Sequence, residues 1–282
     1  MLCTQKLIAL GVDLVVGPVF SATALPVGGI LNAHKIPMLS IMASEHRLVD
    51  VTQYVYRLLT PGEIQAHVLG KYAYSLGLED FAIIAPATAY AKSIVRTFLN
   101  SLNPTFRPKI IEFYKPGAFD FRDILLQIRE EHPQAIFLPV TSEDVSVIAP
   151  ELWLYNIITD SIKVFGLSDW SDSSVYFENL NYLESVIFTE IEPDTEFVNS
   201  YTEFFGKKPN EFARVGFRTA QILSYLIKKS NIKHGLQEIS TDRLILPHEC
   251  TVDIFTVENR TKKLLKRYNL IQGTKGFIIQ PE

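Results

Sequence analysis

Cysteine is nearly absent: Cys3 and Cys250 are the two in 282 residues. A pair so far apart in sequence defines no disulfide framework. The six histidines are scattered, and no Cys or His pair stands at metal-ligand spacing, so neither a metal nor a cofactor is expected. No apolar run reaches the ~18 residues of a bilayer-spanning helix, so no transmembrane segment is expected. The opening residues, MLCTQKLIALGVDL, lack a basic start and a cleavage site, and no apolar region precedes Cys3 as a lipidated cysteine would require. A basic excess is missing too. With 27 basic against 31 acidic residues the net charge is −4, which argues against a nucleic-acid partner. Arg260, Lys262, Lys263, Lys266 and Arg267 do cluster, but Asp253 and Glu258 dilute them into a solvated face. No G-x-S-x-G elbow, P-loop or G-x-G-x-x-G occurs. His34, His46, His67, His132, His234 and His248 have no serine or cysteine nucleophile in their local sequence, so a small-molecule hydrolase is only a further alternative. Repeats and low-complexity tracts are absent.

What is present is an apolar, alternating chain. Hydrophobic residues make up 47% and the mean hydropathy is +0.13, enough for a substantial core in one large domain or two lobes. Strand-like and helix-like segments alternate almost throughout, which predicts an α/β fold with largely parallel sheets. A helix tail is expected over 1–10 with Leu7, Ile8 and Leu10 inward. Strands are expected at 12–16, 38–41, 54–59, 81–85, 109–114, 135–138, 162–165 and 185–188. Helices follow at 21–34, 61–74, 89–102, about 120–131 (capped by Asp120), 142–156, 195–206 and 211–229. After residue 250 the pattern turns β-like, with a hairpin turn near Gly273 and Gly276.

Residues 11–44 are the most informative stretch. They read as strand, turn, helix and strand, with Ser21 (or Thr23) capping the helix. In an open parallel sheet, ligands bind beyond the carboxyl ends of the strands. Ser21 and Ser44 both sit there beside free backbone N–H groups, a setting that suits a carboxylate or another small polar anion. The competing reading gives both serines a capping role alone.

The order of motifs resembles the type I periplasmic solute-binding proteins, in particular the branched-chain amino-acid-binding group of ABC importers. Gly17-Pro18-Val19-Phe20-Ser21 is similar to that family's G-P/H-x-x-S turn, and Pro37 to Ser44 to its P-x-x-S-x-x-A-T/S segment. Tyr56-Arg57 with Thr60, the strand before Tyr90, and Lys115-Pro116-Gly117 to Asp120-Phe121 match further signatures in the same order. Ala85 to Thr88 and Gly166 to Trp170 are closer to relatives that activate penicillin-binding proteins. The resemblance implies a periplasmic-binding-protein-like type I fold: two Rossmann-like lobes with parallel central sheets and a three-segment hinge. Lobe 1 is expected over 1–58 plus 193–250, lacking the family's first strand and helix, and lobe 2 over 59–192 plus 251–282.

The resemblance also implies a non-enzymatic role outside the cytoplasmic membrane, in the periplasm. The implied partners are a small polar ligand such as an amino acid, and an ABC permease or, in the alternative, a cell-wall synthase. Ser21, Ser44 and the N–H of Ala43 would hold an α-carboxylate, with Met42 beside them. Tyr90 would pack over the ligand or donate its hydroxyl. Asp169 or Glu190 would pair with an ammonium, and Trp170 would line the side-chain pocket. Plainer roles stand beside these: Tyr90 as cover for the core, Trp170 as a half-buried loop anchor, Asp169 and Glu190 as solvated acids. The chain departs from the family at Ala91 (a glycine position), Arg218 (an aspartate-type position) and Met42 (a small-residue position).

Overall fold

A computed structural model describes residues 2–43, 47–50, 52–102, 107–158, 162–191, 194–246, 249–273 and 276–282. The chain forms two compact units. The first comprises Met1–Thr60, Glu192–Cys250 and Asn269–Gln280, and the second Pro61–Ile191, Thr251–Tyr268 and Pro281–Glu282. In chain order the elements begin with α1 (Leu2–Ala9), β1 (Val15–Val16), α2 (Ser21–Ala33), β2 (Met38–Ser40), α3 (Arg47–Asp50) and β3 (Val55–Leu58). Next come α4 (Pro61–Ser75), β4 (Phe81–Pro86), α5 (Ala89–Leu102), β5 (Ile110–Tyr114), α6 (Arg122–Glu131), β6 (Ala135–Leu138), α7 (Ser142–Leu154), β7 (Lys163–Gly166), α8 (Ser173–Asn179) and β8 (Ile187–Ile191). The chain closes with α9 (Thr195–Phe205), α10 (Glu211–Ile227), α11 (Ile232–Glu238), β9 (Ser240–Thr241), β10 (Leu244–Ile245), β11 (Cys250–Glu258), β12 (Thr261–Gly273) and β13 (Gly276–Pro281).

One sheet has five strands in the order β1-β2-β3-β10-β9, parallel except for β9. Its two faces follow from the period-2 alternation of strand side chains. Met38 and Val55 face Ala24, Leu31 and Leu48 of α2 and α3. Leu39, Tyr56 and Ile245 face Ile222, Leu226 and Leu236 of α10 and α11. The second sheet has eight strands in the order β13-β12-β11-β8-β7-β6-β4-β5. From β5 to β8 it is parallel, and β11 joins antiparallel to β8. Aromatic rings fill one side of it: Phe98 stacks on Phe137 with centroids 4.0 Å apart and meets Phe81 edge-on at 5.4 Å. On the other side Leu125, Ile128, Ile148 and Leu152 of α6 and α7 pack over Ile84, Ile136 and Val164. These strands are buried on both faces, which is why they read as continuous apolar runs.

Some local expectations change. Leu10 does not face inward; it lies past the end of α1 and is exposed, while Thr4 is the buried residue of that helix. Asp120 is not the cap of α6. The cap position is Phe121, and the Asp120 carboxylate instead accepts the Arg122 N–H at 3.0 Å. The basic stretch after Arg260 is largely exposed, in keeping with a solvated face, and it belongs to β12, a strand of thirteen residues that was expected only from Asn269. Acids on β11 and β8 pair with it: Lys263 with Glu258 and Arg267, forked at 2.6 Å, with Asp253, both on β11, and Lys262 with Glu190 on β8.

Candidate ligand-binding site

In the first unit, parallel strands β1 and β2 deliver their carboxyl ends side by side. The segment after β1 turns at Gly17, whose φ of +99° suits glycine and whose N–H reaches the Leu39 carbonyl at 2.8 Å. Helix α2 then starts at Ser21. Neither serine nor threonine caps it: the cap position is Phe20, with no side-chain bond, and Thr23 Oγ1 donates to the Phe20 carbonyl at 2.9 Å. Ser21 is therefore freed from the capping role. It is the first helical residue, half-buried, and its N–H belongs to the helix-start donors that have no acceptor within the helix. After β2 come Ile41, Met42 (half-buried) and Ala43 (buried). Ser44 lies outside the described residues.

Sequence reasoning missed a pair just inside this edge. Ser40 and Arg57 stand opposite each other across β2 and β3, and both are essentially without solvent exposure. The Ser40 hydroxyl is buried without a hydrogen-bond partner among the described residues. A buried arginine in an otherwise apolar strand was the available signal, because such a charge needs polar company.

In the second unit, the carboxyl ends of β4, β6, β7 and β8 carry the corresponding loops. Thr88 caps α5 through the Ala91 N–H at 3.1 Å, which sets Tyr90 in the first turn, 45% exposed. The Tyr90 hydroxyl lies over Gly62 of α4 so closely that a Cβ there would collide with it. Thr141 caps α7 and also bonds Asp144, whose carboxylate accepts the Tyr114 hydroxyl at 2.6 Å. Burial and that carboxylate push the Tyr114 phenol well above its ordinary range.

Gln65 of α4 is the organising residue of this end, and no sequence signal singled it out. Its buried carbonyl oxygen accepts both the Ser168 N–H and the Thr189 hydroxyl, each at 2.9 Å, so it ties the segment after β7 to β8. That segment carries Asp169 and Trp170. Asp169 is half-buried. Burial raises its carboxyl above the usual range, Asp172 and Glu143 push the same way, and backbone N–H groups, including that of Ser142, oppose them. A cation would be favoured beside such a group.

Trp170 is completely buried: its ring covers Gly166, and its indole N–H donates to the Leu138 carbonyl at 3.0 Å. It is thus a fully buried anchor of the β7 loop. Glu190 is partly exposed, and Lys262 pairs with it at 2.7 Å.

The described cavities of the first unit lie away from Ser21 and Ala43. One of about 670 Å³ is at the amino ends of β1 and β2, lined by Asp13, Lys35 and Lys233. Another, of about 300 Å³, lies along α10 beside Arg218 and Tyr225. Among the described residues the one close Ser–His pair is Ser101 with His67. The Ser101 hydroxyl donates to the Thr97 carbonyl at 2.7 Å within α5, and its contact with His67 ties α5 to α4.

The family model described as "Periplasmic binding protein" matches residues 2–243. No curated protein matches the sequence. Among solved structures, a putative branched-chain amino acid ABC transporter protein from Rhodospirillum rubrum is 18% identical with a TM-score of 0.67, the match covering 94% of this chain and 83% of that one. The substrate binding protein LivJ from Streptococcus pneumoniae, in complex with isoleucine, is 16% identical with a TM-score of 0.56, covering 100% of this chain and 83% of that one. A solute binding protein from R. palustris, in complex with benzoate, is 15% identical with a TM-score of 0.55, covering 99% and 80%. These likenesses agree with the two mostly parallel sheets and flanking helices, and the family match extends over most of the sequence. The chain belongs to the periplasmic binding protein family, with the type I fold.

Proposed function

We propose that this protein captures a small carboxylate-bearing solute, an amino acid or a close analogue, in the periplasm for an ABC importer, and that it performs no catalysis. The observation that carries the reading is Ser21. It follows the carboxyl end of a parallel strand, is not used as a cap, and starts a helix whose first N–H groups lack intrahelical acceptors. With the Ala43 N–H and, from the sequence alone, Ser44, it forms the carboxylate subsite. Each charge-assisted bond of that kind contributes about 1.5–3 kcal/mol. In the second unit, Tyr90 offers an exposed ring and Asp169 an acid-rich neighbourhood suited to an ammonium. Met42 sets the size of the side-chain space, and Trp170 supports the Asp169 loop from beneath.

The ligands named for the structural neighbours share the same group: isoleucine and benzoate both carry a carboxylate. Isothermal titration against the amino acids and benzoate tests the reading. Heat with a micromolar Kd for at least one carboxylate is expected; a folded sample silent to every one of them contradicts it.

A further inference from the structure

Arg218, one of the positions where the chain departs from its family, has no part in the carboxylate subsite. It lies on α10 and is half-buried. Its Nη1 donates to the Gln221 side-chain carbonyl at 3.1 Å and its Nη2 to the Leu246 carbonyl at 3.2 Å, while Nε is buried with no hydrogen-bond partner among the described residues. Both acceptors are neutral, and among the described residues no carboxylate is ion-paired with this guanidinium. Burial lowers its pKa, and Glu249 and Asp194 oppose that only through their more distant charge. The groups around it are already matched: the Tyr225 hydroxyl donates to Glu238 at 2.5 Å, and Lys229 pairs with the same carboxylate at 2.7 Å. A partly desolvated cation without an acid is out of keeping with its surroundings, and an orphaned buried donor calls for an occupant.

Arg218 also lines the cavity of about 300 Å³ along α10. That volume is at the lower end of the range for small-molecule sites. Ile222, Ile239, Leu246 and Tyr225 supply apolar wall, and the exposed Glu249 completes the lining together with Gln221. An adjoining, more open hollow of about 590 Å³ shares Arg218, Gln221 and Tyr225 and adds Lys228, a second cation with no ion pair among the described residues. We propose that this cavity is a second ligand site, which takes a small monocarboxylate with a compact apolar group. The carboxylate lies beside Arg218 and the apolar part among Ile222, Ile239 and Leu246. The planar guanidinium matches a carboxylate in shape and charge. The apolar walls disfavour a fully hydrated ion such as inorganic phosphate, and Glu249 disfavours a second negative charge. Neither Ser21 nor Ala43 lines the cavity, so the site does not depend on the carboxylate subsite.

Methyl-resolved NMR of the whole chain, titrated with 4-methylpentanoate, tests the proposal at side chains that line this cavity. The Ile222 and Ile239 methyls should shift saturably with a Kd below about 1 mM, in the wild type and equally in Ser21→Ala. The uncharged 4-methylpentanamide should leave both methyls in place up to about 10 mM. Arg218→Gln should raise the Kd for the acid at least tenfold. Glu249→Gln, at an exposed side chain, should lower it about two- to threefold by removing an opposing charge. Circular dichroism melting verifies that each variant is folded, and the comparison of acid with amide needs only the wild type. Methyls unmoved by the acid at about 10 mM overturn the proposal. So do an equal response to the amide, a Kd unchanged in folded Arg218→Gln or raised in Glu249→Gln, or shifts that vanish in Ser21→Ala, which would place the acid at the carboxylate subsite alone.

Discussion

Lowering the pH should destabilise this protein through His67, by an amount the structure sets. His67 lies between α4 and α5, with Nδ1 2.6 Å from Ser101 Oγ. The Ser101 hydrogen is already given to the Thr97 carbonyl, so Nδ1 is the donor of the pair and the ring is the neutral Nδ1–H tautomer. Burial lowers the His67 pKa from 6.5 to about 4, and Lys71, one turn along α4, adds to the effect. The unfolded chain takes up this proton below pH 6.5 and the folded chain does not until about pH 4. Stability is therefore fully present above pH 6.5 and is lost as the pH falls toward 4. The loss is about 2 kcal/mol between pH 7 and pH 5, and about 3 kcal/mol in all.

Other groups have shifted pKa values too. Asp169 and Glu151 have raised carboxyl pKa values and work in the opposite sense. The measurement is accordingly a difference: urea unfolding of the wild type and His67→Gln at pH 7 and pH 5. The wild type should lose about 2 kcal/mol more than the variant over that interval. Equal losses within 0.5 kcal/mol, or an imidazole that titrates near the ordinary histidine value by NMR, would refute the reasoning.

Gln65→Leu strands the Ser168 N–H and the Thr189 hydroxyl together and should cost about 2–4 kcal/mol in urea unfolding, whereas Thr189→Val, which leaves Gln65 bonded to Ser168, should cost about 1 kcal/mol. Gly166→Ala drives a methyl into the Trp170 ring, whose indole N–H is tied to Leu138. A loss of 1–3 kcal/mol or more is expected by the same assay, and a neutral result would mean that Trp170 has room to move. Asp169→Asn should weaken an amine-bearing ligand about tenfold or more in calorimetry and leave benzoate unaffected, since benzoate has no cation to lose.

The architecture was readable because strands buried on both faces leave a plain signature. Phe81 to Pro86 and Ala135 to Leu138 are unbroken apolar runs, and the helices between them carry one apolar face. β12 was only half read, its first part hidden by Lys262, Lys263, Lys266 and Arg267. Charge patterning there reflects ion pairs to Glu258 and Asp253 on β11, which the local sequence contains, and to Glu190 on β8, 72 residues from Lys262, which it does not.

The same limit governs the site. Ser21 and Ala43 could be placed because their position follows from strand ends. Gln65 could not, since its partners lie 103 and 124 residues away. Trp170 and Glu190 have the right chemistry for a pocket, but one is enclosed by Gly166 and the β7 loop and the other is held by Lys262.

The central claim is that the solute is held by its carboxylate at Ser21. Titration calorimetry of the tightest ligand found in the panel, against the same molecule with its carboxylate converted to a carboxamide, tests it most directly. The wild type should bind the acid and lose at least a hundredfold in affinity for the amide, with Ser21→Ala reducing acid binding about tenfold. Equal affinity for acid and amide, unchanged by Ser21→Ala, would contradict the account.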